Sequence, residues 1–368
     1  MSYMQNPLRV GVIGCGWFAQ AVHLPILRRL PGVELAALAE PEPSRREAAS
    51  RCAPSAVAYA DYRDLLKMRD LDAVIVSVPT ALHAEVAIAA MQEGKHVYLE
   101  KPIATSLEEA DKVVSVWKRS GVVGMVGFNY RFNALFQAAQ MQLQARKLGS
   151  LVGMRSVFST PMRSMPAWKQ ARSTGGGVLL DLASHHIDLV RFLFQQEVRT
   201  VSADIESCCT EHDTAVLHLR LAGGLRIQSY FSLCAVDEDR VEIYGQAGKL
   251  TVDRYRSLDV EIVDAGGTSS RFRRMTQKLR PFMNAPYLLK KLRSPWHEPS
   301  YREALSRFIS VVRGCEKTSP DLLDGYRSLE VIEAAEESAR TGRVVEVTSG
   351  LLSGSLGTER KQDSGEGP

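Results

Sequence analysis

The stretch Leu8-Arg9-Val10-Gly11-Val12-Ile13-Gly14-Cys15-Gly16-Trp17-Phe18-Ala19 decides the fold. Leu8 to Gly14 is compact, apolar and closed by glycine, the pattern of a buried strand running into a tight turn. A helical pattern follows from about Phe18 to Leu30. In that strand–turn–helix context Gly14, Gly16 and Ala19 stand at G-x-G-x-x-G/A spacing. Gly14 permits the turn, Gly16 lets a pyrophosphate approach the backbone, and Ala19 keeps the helix close to the sheet. Trp17 and Phe18 stand at the helix start, whose N–H groups and positive dipole favour phosphate. Glu40 ends the next strand, where a carboxylate accepts hydrogen bonds from the adenosine ribose and repels a 2′-phosphate. NAD(H) is therefore expected over NADP(H), although Arg45 and Arg46 follow closely and could hold that phosphate.

Working outward, Val33 to Ala39, Ala73 to Val78, His96 to Leu99 and Val122 to Val126 are further apolar runs. Helical patterns over Leu82 to Gln92 and Leu107 to Arg119 separate them. Continuous apolar strands alternating with helices predict a doubly wound parallel sheet covered on both faces, a Rossmann domain over residues 1–128. Beyond it the pattern changes. Helices are expected over Asn133 to Lys147 and Val178 to Phe194. Then Ala215 to Leu221 and Leu225 to Leu233 alternate apolar and polar residues, and Arg240 to Tyr244, Lys249 to Asp253 and Leu258 to Val263 continue the run. This predicts an α+β domain over residues 129–348 with an open, mostly antiparallel sheet. Its second face, carrying His218, Gln228 and Tyr230, is expected to meet solvent or another subunit. Tyr301 to Val312 and Asp324 to Thr341 read as helices and Val344 to Val347 as a last strand. Residues 349–368, rich in Gly, Ser and charge, are expected to be a disordered tail.

The composition excludes several classes. Hydrophobic residues make up 45% and charged residues 24%, the balance of a soluble globular enzyme. A formal charge of +4 is too small to argue for nucleic acid. No apolar run approaches the ~20 residues that span a bilayer. The short polar start lacks the features of a signal peptide, so the protein is expected to be cytoplasmic. The six cysteines form no C-x-x-C pair, so neither zinc nor a dithiol motif is expected and the thiols read as reduced.

Three elements carry chemistry. Ser77, Pro79 and Thr80 turn at the carboxyl end of a strand, beside the expected nicotinamide half of the cofactor, and His83 opens the next helix. Glu100-Lys101-Pro102 closes another buried strand, where ligands bind in open α/β sheets. An ammonium at Lys101 could stabilise alkoxide-like charge on a reacting oxygen. A cis peptide before Pro102 is conceivable there. Finally Gly175-Gly176-Gly177 leads into a helix carrying Asp181 and His185. At i and i+4 they share a face, so the carboxylate could orient the imidazole for proton transfer. Zinc spacing of the H-x-x-x-H kind is absent. Together these point to an oxidoreductase acting on a polyhydroxylated substrate.

The order G-x-G-x-x-A, V-P-T-x-x-H, G-K-H-V-x-x-E-K-P and G-G-G-x-x-x-D-x-x-x-H-x-x-D resembles the glucose–fructose oxidoreductase / inositol dehydrogenase / rhizopine catabolism (Gfo/Idh/MocA) family over residues 7–347. The resemblance implies an NAD(P)-dependent dehydrogenase or reductase of a sugar, sugar derivative or cyclitol. It implies Lys101, Asp181 and His185 as the catalytic trio. It also places Asn129 and Arg131, in the Gly127–Phe132 segment, beside the cofactor. It implies a homodimer or homotetramer built through the C-terminal sheet. Two departures, Ala183 for the usual glycine and Gln195-Gln196 at the helix end, put only local geometry in question. Two other readings stay open: a reductase of a non-sugar carbonyl or C=N compound, and a non-catalytic dinucleotide-binding sensor.

Residues 265–297 contain Arg271, Arg273, Arg274, Lys278, Arg280, Lys290, Lys291 and Arg293 and no acidic residue. Apolar residues, among them Trp296, interleave with them. The segment reads as a solvated excursion, as a site for an anion such as a nucleotide-sugar diphosphate, or as a contact for an anionic membrane surface.

Overall fold

The computed structural model describes residues 6–266, 285–316 and 318–348. The expected tail and the run from Arg271 to Arg280 lie outside the described residues. Six strands form the first sheet: β1 (Leu8–Ile13), β2 (Val33–Ala39), β3 (Val57–Tyr59), β4 (Ala73–Val76), β5 (His96–Leu99) and β6 (Gly124–Val126). Their order is β3-β2-β1-β4-β5-β6, and every pair is parallel. The chain reverses direction across the sheet between β1 and β4, so a crevice opens beyond their carboxyl ends. The central strands are buried on both faces, while the edge strand β3 is largely exposed. Val10, Val12 and all of β4 have no exposure, which is why they read as unbroken apolar runs.

Eight strands form the second sheet: β7 (Leu151–Ser159), β8 (Val198–Glu206), β9 (Thr214–Leu221), β10 (Arg226–Ser232), β11 (Glu238–Gly245), β12 (Gly248–Asp253), β13 (Glu261–Asp264) and β14 (Val345–Glu346). The order is β13-β12-β11-β7-β10-β9-β8-β14. All neighbours are antiparallel except β7 and β10. Ala215, Leu217, Leu219 and Leu221 of β9 are buried. His218, Gln228 and Tyr230 face outward, as the alternation predicts.

The helix Leu322–Thr341 joins the two sheets. It opens with a capping box in which Asp321 and Asp324 satisfy each other's backbone N–H. Its start meets the first sheet, where Val126 N–H donates to the Pro320 carbonyl at 3.2 Å. Its end meets the second, where Ser338 Oγ accepts from Ala203 N–H at 3.1 Å. Among the described residues no helix is long and apolar enough to cross a membrane.

Candidate active site

The glycine turn is built as its sequence demands. Gly14 has φ +85°, and a Cβ there would meet the Ser77 carbonyl oxygen at 2.5 Å. Only glycine combines that conformation with that closeness. At Gly16 a Cβ would meet nothing within 4 Å among the described residues beyond its chain neighbours, which leaves room over this part of the turn. Glu40 is buried and fastens the turn. Its Oε2 accepts from Cys15 N–H at 2.8 Å and its Oε1 from Glu42 N–H at 3.2 Å. Arg46 does not face outward for a phosphate: its Nη1 donates to the Glu40 carbonyl at 2.7 Å. Arg45 lies 3.9 Å from Glu42.

Trp17 is 70% exposed and stacks on Trp296, with ring centroids 4.5 Å apart and planes at 24°. Phe18 packs behind the pair, 5.2 Å from Trp296 and 5.5 Å from Tyr301. Ala19 is fully buried under the helix, whose first turn, Ala19–His23, is of the wider π type. Ser77 binds the first strand through its N–H, which donates to the Ile13 carbonyl at 2.8 Å. Pro79 is exposed, while Thr80 is buried against Gly175 of the glycine run.

Lys101 leaves the end of β5 through a cis peptide to Pro102. Its Nζ donates to the Asp181 carbonyl oxygen at 2.6 Å and to Asp181 Oδ1 at 3.2 Å. The end of the first sheet and the helical turn of the second region thus meet in one polar cluster. Lys169, from the loop before the glycine run, donates to both Asp181 carboxylate oxygens at 3.0 Å. Burial opposes ionisation of Asp181, but Lys169 and Lys101 overcome it and hold the carboxyl well below the usual range. Burial also lowers the Lys101 ammonium below its usual range; Asp181 works against that and Lys169 adds to it.

The expected bond between Asp181 and His185 is not formed. Leu179–Ala183 is a π turn, which widens the helix between the two residues, and two lysines already hold the carboxylate. His185 is positioned by stacking on Tyr130, with centroids 4.5 Å apart at 20°. Its Nδ1 is buried without a hydrogen-bond partner. Burial, then Lys101 and Arg254, push its pKa well below 6.5. Behind it lies a buried polar cluster. Asp239 accepts from the Tyr130 hydroxyl, faces His186 Nε2 at 3.1 Å and accepts from Arg254 Nε at 2.6 Å. Arg254 reaches on to Glu298 at 2.9 Å.

Four sequence-selected residues are engaged by other parts of the protein. His83 is buried, with Nδ1 2.6 Å from the Pro102 carbonyl and Nε2 3.0 Å from that of Val78, so it braces the ends of β4 and β5. Glu100 lies 3.0 Å from His23 Nε2 and fills the space beside Gly127. Arg131 grips Asp188, with Nε at 2.8 Å and Nη2 at 2.5 Å, and reaches Asp324 at 3.2 Å. Asn129 is buried and donates to Ser300 Oγ at 2.8 Å, but its Oδ1 has no partner. Tyr130 lies in the Gly127–Phe132 segment that the resemblance selects, whereas no sequence motif selects Lys169, Asp239, Arg254 or Trp296. They lie on separate elements, and no local spacing links them.

The description "Oxidoreductase family, NAD-binding Rossmann fold" belongs to a family model that matches residues 8–128. A second model, "GFO/IDH/MocA C-terminal domain", matches residues 136–251. The chain is 28% identical to myo-inositol 2-dehydrogenase of Thermotoga maritima over 92% of its length and 98% of that protein. It is 26% identical to levoglucosan dehydrogenase of Pseudarthrobacter phenanthrenivorans, covering 94% and 99% of the two chains. The WlbA dehydrogenase of Bordetella pertussis, solved with NADH and UDP-GlcNAcA, shares the fold with TM-score 0.81 and 22% identity over 95% of this chain and all of that one. Carrying both parts in order, the chain belongs to the Gfo/Idh/MocA family of oxidoreductases.

Proposed function

We propose that the protein is an NAD(H)-dependent dehydrogenase or reductase that moves hydride between the nicotinamide and a CH–OH carbon of a sugar, sugar derivative or cyclitol. The observation that carries this reading is the meeting of Lys101, from the crevice edge of the first sheet, with the helix that bears Asp181 and His185. The named relatives act on inositol and levoglucosan, which are polyhydroxylated rings. Space at Gly16 for a pyrophosphate, and Glu40 at the end of β2, fit a dinucleotide. Arg46 is committed to backbone carbonyls, so NAD(H) suits the site better than NADP(H).

Bound NAD+ would supply the hydride acceptor. In the oxidative direction His185 takes the hydroxyl proton. Burial beside Lys101 keeps its imidazole neutral and so able to accept. Lys101 donates to the same oxygen and stabilises the negative charge that develops as hydride leaves. Asp181 stays ionised between the lysines and fixes the direction of the Lys101 ammonium. Reduction runs the same steps backwards.

Residues 1–128 and 129–348 are proposed as the cofactor and substrate domains. The uncovered face of the second sheet, with Val152, His218, Gln228 and Tyr230 outward, is proposed as the contact that forms a homodimer or homotetramer. Six free thiols suit a reducing, cytoplasmic compartment.

The test is to identify the nucleotide that co-purifies, then to follow NADH appearance with a panel of cyclitols, free sugars and nucleotide sugars. Turnover of at least one polyol class with NAD+ is expected. Activity confined to non-sugar carbonyl or imine compounds would overturn the reading.

A further inference from the structure

Cys208 and Cys209 sit in the loop between β8 and β9, and Cys234 lies two residues beyond β10. In sequence they are unrelated. In the fold Thr214 pairs with Ser232 across β9 and β10, which brings the loop against the end of β10. Asp213 then folds the loop around itself. Its Oδ1 accepts from Cys208 N–H at 3.0 Å, and its Oδ2 accepts from Cys209 and Thr210 N–H at 2.6 Å. As a result Cys208 Sγ, Cys234 Sγ and a carboxylate oxygen of Asp213 all lie within 4.8 Å of one another.

We propose that Cys208, Cys234 and Asp213 form a binding site for a thiophilic divalent cation of the zinc class, separate from the hydride-transfer centre. Tetrahedral zinc with sulfur ligands at about 2.3 Å places ligand atoms about 3.8 Å apart, so closing the site needs shifts of only about an ångström. Two thiolates and a carboxylate are a donor set that zinc takes readily, with solvent in the fourth position. The carboxylate is already oriented by backbone N–H groups, the kind of outer-shell support that tunes metal sites. Two thiol protons pass to solvent as the cation binds.

The site is joined to the catalytic helix. The His212 carbonyl accepts from Val178 N–H at 2.7 Å, at the start of the turn that carries Asp181. Glu211 accepts from Arg172 N–H at 2.7 Å, three residues from Lys169. Leu233 N–H donates to the Asp213 carbonyl at 2.8 Å. A cation bridging the loop to Cys234 would fasten the ground on which the helix start rests.

The test uses the full chain, fully reduced and stripped of metal, titrated with zinc against a chromophoric chelator and with cobalt(II) by absorption. One cation per chain is expected, with thiolate-to-cobalt charge-transfer bands and tetrahedral d–d bands. Cys208→Ser and Cys234→Ser should each weaken binding by more than about 100-fold, beyond the 10–100-fold typical of lost outer-shell partners. Cys315→Ser should leave it unchanged. Absence of thiolate bands, or equal affinity in Cys234→Ser, would overturn the site. So would loss of binding in Cys209→Ser with retention in Cys208→Ser. A Cys208–Cys234 disulfide that persists under reducing conditions would also overturn it, since the pair would then be a redox couple.

Discussion

The Lys101 ammonium, at the end of a strand in the first sheet, lies 2.6 Å from the Asp181 carbonyl oxygen and 3.2 Å from its carboxylate, on the turn that leads into the helix Ser184–Phe194. Lys169 holds the same carboxylate from the other side. Lys101 is therefore aimed by a group from another part of the chain. Lys101→Met removes the charge at similar volume. It should lower kcat by about 10²–10³-fold, the cost of losing a charge-stabilising donor. NADH affinity, read by fluorescence titration, should barely change. Lys169→Met leaves Lys101 with its partner and should cost less. Equal losses in both variants would mean that Lys101 only helps to fold the cluster.

His185 gives a pH signature. Burial and Lys101 hold its pKa well below 6.5, so the neutral form persists into mild acid. The acid limb of kcat/KM should therefore fall below the pH where an ordinary imidazole titrates. His185→Gln should lower turnover by about 10²–10⁴-fold. The sign for stability follows from linkage. Below about pH 6.5 the unfolded chain binds a proton that the folded site refuses, so stability falls on acidification through that window. Urea unfolding of wild type should lose stability between about pH 6.5 and 5 more steeply than His185→Gln does. Parallel slopes would remove His185 as the titrating group.

Much of this was legible in the sequence, for physical reasons. β1, β4 and β5 are buried on both faces, so nothing interrupts their apolar runs, and Lys101 stands out because it ends one of them. β7 was missed although it lies inside the second sheet between β10 and β11. It carries Arg155, Ser156 and Ser159, and Ser156, buried between Met154 and Phe158 by bonding Ser229 Oγ at 2.8 Å, breaks the apolar run of its core face. Spacing put Asp181 beside His185 only on the assumption of a regular helix, and the π turn breaks that assumption. Arg131 looked like a cofactor ligand from its position in a motif. Its partners Asp188 and Asp324 lie 57 and 193 residues away, where no local pattern reveals them.

The Trp17–Trp296 stack joins the glycine turn to the segment before the helix Ser300–Val312. Trp296 and His297 both have positive φ, 52° and 55°, an uncommon conformation for residues other than glycine. Such a stack is worth about 0.5–1.5 kcal/mol beyond area burial. The two indoles flank the turn assigned to the pyrophosphate. They should therefore supply most of the tryptophan fluorescence quenched when NADH binds, although the chain has four tryptophans. The double variant Trp17→Phe, Trp296→Phe should lose most of that quenching while still binding NADH by calorimetry. Undiminished quenching would place the dinucleotide elsewhere.

The two glycines of the turn separate folding from cofactor binding. Gly14→Ala forces a side chain into φ +85° and into the Ser77 carbonyl at 2.5 Å. It should destabilise the fold by about 1–3 kcal/mol, seen as a lower urea midpoint with an unchanged m-value. Gly16→Ala meets no atom within 4 Å among the described residues beyond its chain neighbours, and its φ lies outside the positive region. The unliganded fold should keep its stability, or gain about 0.4–1 kcal/mol from a stiffer unfolded chain. The added methyl would, however, occupy the approach of a pyrophosphate to the backbone. NADH affinity should fall by at least tenfold, about 1.4 kcal/mol. Thermal unfolding with and without NADH reads both terms at once. In Gly16→Ala the midpoint without ligand should match wild type, while the rise on adding NADH should shrink. An undiminished rise would show that the dinucleotide does not cross the turn at Gly16.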